Sequence, residues 1–403
     1  MTGAKPKVRE MAAGLFESLK PEPPDPLLSL IAEFARDPRP GKIDLGVGVF
    51  RDDTGITPVM RAVKAAEREL VATQASKSYL GPEGDVEFVA LLRPIVFGGD
   101  FGERLVGVQT PGGTGAIRLA ADLIAVTGAR VWLGLPTWPN HRPVFGAAGV
   151  PVETYRHFDP ATQSLCFDEL MSALDRAAPG DVAVLHGCCH NPTGIDLSGA
   201  QWRAVAEVLA ARGIVPLIDL AYQGLGEGLE EDAGGLREVL AHCDEALIAY
   251  SCDKNFGLYR DRVGALYALA RGAAAAGTVY SNMLTRARET WSMPPDHGAA
   301  VARIVLATES LEADWRAELD TMRGRIRAIR GAAAAAHPSL AFLARQQGMF
   351  SVLPLDKAAI ARLKAEHGIY MAASGRANLA GLRMADVPRF AAAVLSAMKA
   401  QAA

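Results

Sequence analysis

The side chains able to do chemistry gather just behind short apolar runs. Lys254 stands in Ser251-Cys252-Asp253-Lys254-Asn255-Phe256-Gly257, after the run Ala246-Leu247-Ile248-Ala249-Tyr250, and Arg262 follows eight residues on. A surface lysine is ordinary, but a lysine that closes a core strand can serve as an amine nucleophile. Asp219 ends a second apolar run, Ile214 to Ile218, with Tyr222 three residues later. A carboxylate placed there is half-buried and needs a partner. Thr110-Pro111-Gly112-Gly113-Thr114-Gly115-Ala116 reads as the start of a helix. Its glycines let backbone N–H groups approach an anion. Asn191-Pro192-Thr193-Gly194 is a turn signal shortly after Val182-Ala183-Val184-Leu185.

These positions need a frame. From Ile43 to about Ser251 short strand-like runs, including Val131-Trp132-Leu133 and Val215-Pro216-Leu217-Ile218, alternate with helical stretches such as Gln201 to Arg212. Such alternation predicts an α/β fold with a mostly parallel sheet between helices, and ligands bind beyond the C-terminal ends of its strands. The C-terminal third predicts a smaller α+β domain. It has one long helix from Leu311 to Arg330, an alanine run to Ala336, strand-like runs at Phe350–Leu353 and Gly368–Met371, and helices at Lys357–His367 and Val387–Lys399. At the other end, the prolines of Pro21 to Pro26 predict extended chain, then a helix from Leu27 to Arg36 with Asp25 as cap and Pro26 as first residue. The expected division is an extension and arm over 1–25, part of the small domain over 26–48, a large domain over 49–312, and the rest of the small domain over 313–403.

Several function classes drop out. Lys plus Arg number 42 and Asp plus Glu 45 among 403 residues, a net charge of −3 that gives no footprint for nucleic acid or an anionic membrane. No window reaches the roughly 18 unbroken apolar residues of a membrane span. Met11-Ala12-Ala13-Gly14 is too short an apolar run for a secretion signal, and an odd count of five cysteines argues against a disulfide framework, so a cytoplasmic chain is expected. The glycines miss dinucleotide spacing, since Arg118 and Arg51 stand where third glycines belong. His186-Gly187-Cys188-Cys189-His190 resembles a metal cluster, but adjacent cysteines in a strand face opposite ways, so no metal is expected.

What remains matches one cofactor. Pyridoxal 5'-phosphate needs a lysine amine for its aldehyde, an acid beside its pyridine nitrogen, and an anion cradle with an arginine for its phosphate. Lys254, Asp219, the Gly113–Thr114 turn, Ser251 and Arg262 supply these.

From about Phe16 to its end, the chain also resembles the aspartate and aromatic amino acid aminotransferases, the class I branch of the fold-type I pyridoxal-phosphate enzymes. The phrases LGVGVFRDD, SYLGPEG, TPGGTGAIRLAAD, WPNH, HGCCHNPTG, DLAYQG, KNFGLYRDRVG, PPDHGA, GMFS and SGRANLAG carry it, in this order. The resemblance implies a seven-stranded-type sheet and a catalytic set of Lys254, Asp219 and Tyr222. Lys254 would hold the cofactor and shuttle a proton, while Asp219, with His141 and His186 behind it, would keep the ring nitrogen protonated. Trp138 would lie on the ring, Asn191 and Tyr222 on its phenolic oxygen, and Gly113, Thr114, Ser251 and Arg262 on the phosphate. Arg376 would fork onto the substrate α-carboxylate, Arg288 would clamp a side-chain carboxylate, and Gly48 would line the mouth. Tyr79, Arg288 and Ser292 would come from the neighbouring subunit, so the active site would need a homodimer, with residues 16–26 reaching across.

The chain departs from the family pattern at Cys252 and Asp253, at Phe50, and around Arg288 at Glu289, Thr290 and Met293. Asp253 would repel a phosphate unless it paired or pointed away; strand alternation would send Lys254 and Asp253 to opposite faces. The expected activity is transfer of the amino group of aspartate, and of Tyr or Phe, to 2-oxoglutarate by a ping-pong cycle. The alternatives are an aromatic-preferring aminotransferase, a β-lyase or decarboxylase on the same cofactor, and a non-catalytic ligand-sensing regulator.

Overall fold

The apolar runs become the strands of one sheet. In the computed structural model, which describes residues 15–402, seven strands assemble: β1 (Leu105–Pro111), β2 (Val131–Leu135), β3 (Val152–Arg156), β4 (Val182–His186), β5 (Val215–Leu220), β6 (Ala246–Ser251) and β7 (Val263–Leu269). Their spatial order is β1-β7-β6-β5-β4-β2-β3. β7 runs antiparallel to both neighbours, and the other six strands are parallel. The alternation read from the sequence stops at Ser251, so β7 extends the sheet beyond it.

A parallel sheet covered on both faces reads as unbroken apolar sequence, and this one does. Trp132, Leu185, Ile218, Ile248 and Tyr267 enter a core on one face. Their alternates Leu133, Val184, Leu217, Ala249 and Leu266 enter a second core on the other. All seven residues of β7 are buried.

A third core gathers Ile43, Leu45, Leu340, Leu363, Ile369 and Phe390 from both ends of the chain. Here Ile43–Asp44 pairs in parallel with Ile369–Tyr370, and Phe350–Val352 pairs antiparallel with Arg376–Asn378. One helix, Glu309–Ala335, absorbs the alanine run and joins the cores. Trp315, Leu319, Met322 and Ile326 face the sheet side, and Ile329 and Ala333 face the third core. Trp315 is fully buried, stacks on Phe256 at 4.5 Å, and donates its indole N–H to the Asn255 carbonyl at 2.7 Å. The long helix thus grips the chain next to Lys254.

At the N-terminal side, Pro26–Arg36 is helical and the Asp25 carboxylate accepts the N–H groups of Leu27 and Leu28, as its cap position predicts. Residues 19–25 have no regular structure, and Leu15–Ser18 forms one 3-10 turn. The part of the expected arm over 1–14 lies outside the described residues. All five cysteines are unpaired, and among the described residues no helix is long and apolar enough to cross a membrane.

Two sequence expectations fail because the chain has already left the strand. Cys188 and Cys189 lie in a bend beyond β4, with Cys189 at φ +50°, so their sulfurs share one side, within 4.8 Å of each other and of Asp232. The Asp232 carboxylate accepts the backbone N–H groups of Gly224, Gly226 and Glu227. Asp253 follows the end of β6 in a turn, and alternation no longer governs its direction; it folds back into the site.

Candidate active site

Strand register brings the chemical residues to one edge. His186 aligns with Asp219 across β4 and β5, Leu220 with Tyr250 across β5 and β6, and Ser251 with Gly264 across β6 and β7. Because β7 is antiparallel, Arg262, the residue just before it, reaches the edge where the parallel strands end. β1 ends there too, with Pro111 beside Val263, and runs directly into the helix Gly112–Thr127.

This helix start forms a cradle. Gly112 has φ +67°, a conformation that favours glycine, and a Cβ on it would lie 2.6 Å from the Arg262 guanidinium. A Cβ on Gly113 would lie 3.0 Å from the Ser251 side chain. Thr114 follows in the same turn, so a helix N-terminus, a hydroxyl and an arginine converge. Arg262 is itself at φ +58°, and its Nη1 donates to the Tyr259 carbonyl at 3.1 Å and to the Asp253 carboxylate at 2.7 Å.

Beside the cradle stands Lys254, its Nζ 5.2 Å above the Tyr222 ring and 3.7 Å from the Asp253 carboxylate. The Asn191 amide donates to the Tyr222 hydroxyl at 3.1 Å, while its buried Oδ1 has no partner. Burial pushes the Tyr222 phenol far up, so it stays protonated.

Behind Asp219 runs a chain of hydrogen bonds whose direction one backbone group fixes. The Asn191 N–H must donate, so His186 Nδ1 accepts it at 3.1 Å. Neutral His186 then donates from Nε2 to Thr137 Oγ1 at 3.1 Å, and the Thr137 hydroxyl donates to His141 Nδ1 at 2.8 Å. His141 Nε2–H is left facing the Asp219 carboxylate at 3.2 Å. Burial holds His186 neutral by lowering it to about 3. Burial alone would raise the Asp219 carboxyl, but the His141 hydrogen bond, helped by the charge of Lys254, keeps it below its ordinary range. Trp138 packs edge-on against His141 at 5.2 Å.

The C-terminal segment closes the site from the other side. Arg376 is buried, donates to the Gly46 carbonyl at 2.9 Å, and holds its guanidinium 4.7 Å over the Phe350 ring. Its buried Nε has no partner. Phe350 also meets Tyr222 edge-on at 6.0 Å, and its ring leaves no space for a Cβ on Gly48. Asn378 donates to the carbonyls of both Val47 and Val49, fixing the mouth.

Most of the expected residues therefore meet: Lys254, Asp219, Tyr222, Asn191, Gly113, Thr114, Ser251, Arg262, Trp138, His141, His186, Gly48 and Arg376. Three do not join them within one chain, Tyr79, Arg288 and Ser292. Tyr79 is 94% exposed, and Arg288 is exposed and hydrogen-bonds Ser292 on its own surface. Their segments meet each other, since the Leu80 N–H points at the Met293 sulfur. Sequence reasoning missed Thr137, Phe350 and Asn378. Thr137 could have been found from its place at a strand end, four residues before His141. It also missed Arg330, whose buried guanidinium donates to the Gly348, Gln347 and Phe350 carbonyls and to Ser351 Oγ, pinning the strand that bears Phe350.

Residues 40–394 match the family described as aminotransferase class I and II. The chain is 55% identical over 384 residues to the tyrosine aminotransferase of Rhizobium meliloti (strain 1021), covering 94% of this chain and 98% of that protein. It is 44% identical over 382 residues to the aspartate aminotransferase of Salmonella typhi, covering 91% and 96%. The crystal structure of an aromatic-amino-acid aminotransferase from Burkholderia pseudomallei, covalently bound to pyridoxal phosphate, superposes with a TM-score of 0.92 at 38% identity, covering 95% of this chain and 99% of that one. With the strand-edge cluster around Lys254, these likenesses place the chain in the class I and II aminotransferase family.

Proposed function

We propose that this aminotransferase moves the amino group of aspartate, tyrosine and phenylalanine to 2-oxoglutarate, with pyridoxal 5'-phosphate held at Lys254. The observation that carries this reading is the convergence of Lys254, the His141-backed Asp219 and the Gly112–Arg262 cradle on one sheet edge. The residues present fit the cofactor. The cradle suits a phosphate, and the unpartnered Asn191 Oδ1 and Arg376 Nε mark polar groups built to meet something other than protein. When bound, the cofactor supplies an electron sink that makes the α-proton of an amino acid labile.

The chain's own residues do the rest. Lys254 Nζ would hold the aldehyde and, as a free amine, would be placed to carry the proton that leaves the α-carbon. The Asp219 carboxylate, aimed by the Asn191–His186–Thr137–His141 chain, would face the ring nitrogen and favour its protonated form. Asn191 and the Tyr222 hydroxyl would bind the ring oxygen, and Trp138 would cover the ring. Gly113, Thr114, Ser251 and Arg262 hold the phosphate. Arg376 forks onto the α-carboxylate, with Phe350 and Asn378 fixing its surroundings.

Exposed Tyr79, Arg288 and Ser292 serve the site of a neighbouring subunit, so the working form is a homodimer. Exposed Phe16, Leu19, Val71 and Val86 support such an interface. Five unpaired thiols support a cytoplasmic location. The names of the relatives support both donor classes.

A donor panel of Asp, Tyr, Phe and Trp against 2-oxoglutarate tests the reading. Glutamate should form with Asp and with at least one aromatic donor. No transfer from any of them, or faster pyruvate release from cysteine conjugates, would overturn it.

A further inference from the structure

The proposed phosphate cradle contains a carboxylate that transamination does not require. Asp253 is 6% exposed, yet its Oδ2 accepts from Arg262 Nη1 at 2.7 Å and lies 3.7 Å from Lys254 Nζ. Its Oδ1 is buried with no hydrogen-bond partner, and its backbone N–H reaches Ser251 Oγ at 3.3 Å. Arg262 is thus already engaged by the acid, while Ser251 Oγ accepts only a backbone N–H and keeps its own O–H to donate. Arg262 has little freedom to move away, because its backbone is left-handed, Tyr259 holds its Nη1, and Gly112 packs under the guanidinium.

The charge balance of the cradle turns on this acid. The groups facing Asp253 are Arg262 and Lys254, both cations, and Tyr259 and Cys252. Burial first, and then the Asp253 charge, push the Tyr259 phenol up to about 12 and hold the Cys252 thiol well above its ordinary range, so both stay neutral. A phosphate brings roughly 1.5 to 2 negative charges. With a neutral residue at 253 the Arg262 guanidinium would be free to pair with it; Asp253 instead sets a rival acceptor on Arg262 and a second acid beside the anion.

We infer that Asp253 is a built-in competitor of the cofactor phosphate, occupying Arg262 when the cradle is empty and weakening cofactor retention when it is filled. This rests on the pyridoxal-phosphate reading above. It makes Asp253 a residue that tunes binding and exchange of the cofactor, and through them the fraction of protein that is loaded.

The test compares wild type with Asp253→Ser and Asp253→Asn as apoproteins at constant ionic strength. Each is titrated with pyridoxal 5'-phosphate by absorbance and with inorganic phosphate by calorimetry, and melted without ligand. Both substitutions should tighten both dissociation constants by about 10- to 100-fold, the effect of one recovered charge-assisted hydrogen bond. Both should also lower the Tm of the ligand-free protein, since Arg262 loses its partner. Wild-type protein that takes up pyridoxal 5'-phosphate no less tightly than both folded variants overturns this inference alone. Wild-type protein that takes up none overturns the cofactor reading as well.

Discussion

Acidification should loosen this protein above the pH at which ordinary carboxylates protonate, because it buries neutral histidines. His157 stacks on His190 at 4.0 Å, and His190 stacks on His186 at 4.1 Å. His157 is 8% exposed and His190 is 4% exposed. Burial lowers His157 to about 4 and His190 well below its ordinary value, with neighbouring imidazoles adding to the effect on His190. A depressed histidine gives stability that is complete above the unfolded value near 6.5 and is lost as pH falls below it, because the unfolded chain then binds the extra proton. Between pH 7 and pH 5 each of the two should lose about 1.9 kcal/mol. Asp196 opposes them: burial raises its carboxyl to about 6, so protonating it over the same window returns about 1.4 kcal/mol. Asp232, also raised by burial, acts in the same direction as Asp196. His186 is lowered too but is partly open to the site, and its share is discounted. The net loss should be about 2 kcal/mol from pH 7 to pH 5. Urea unfolding of wild type and His157→Phe at both pH values measures it. The unpartnered His157 Nε2 and a bordering cavity of about 20 Å³ favour accommodation of the phenyl ring. The variant should lose about 1.9 kcal/mol less than wild type on acidification. Stability that rises from pH 7 to pH 5, or an identical pH slope in the variant, would show that buried neutral imidazoles do not set the acid response.

Two further substitutions probe the C-terminal wall of the site. Arg376→Lys keeps the charge but loses the fork, so kcat/KM should fall by about 10- to 150-fold for Asp and Phe alike. A loss confined to one donor would contradict an α-carboxylate role. Arg330→Leu leaves several carbonyls unsatisfied, so urea unfolding should show a loss of at least about 3 kcal/mol; a loss under about 1 kcal/mol would show that the buried guanidinium is not what pins Phe350.

The sheet was legible because strands covered on both faces must be apolar along their whole length, and chemical residues at their ends stand out against that background. Lys254, Asp219 and Asn191 could be placed this way. The illegible features depend on backbone turns and on contacts distant in sequence. Asp253 points into the site because the chain turns after Ser251, and Cys189 turns its sulfur by a left-handed φ. No local pattern shows that Asn378 holds Val47 and Val49, or that His157 stacks on His190. Arg330 is hidden among the other charges of its helix, since burial of one arginine leaves no mark on composition. Tyr79 and Arg288 lie exposed and apart from the strand-edge cluster, and no local pattern within one chain shows what they would serve.

All of the proposed chemistry requires that a single lysine carry the cofactor. Borohydride reduction of the loaded protein, followed by mass spectrometry of its peptides, reads out that attachment. A reduced pyridoxyl phosphate adduct is expected on the peptide containing Lys254 and absent from Lys254→Ala. An adduct on a different lysine, or none on wild-type protein supplied with the cofactor, would contradict the assignment.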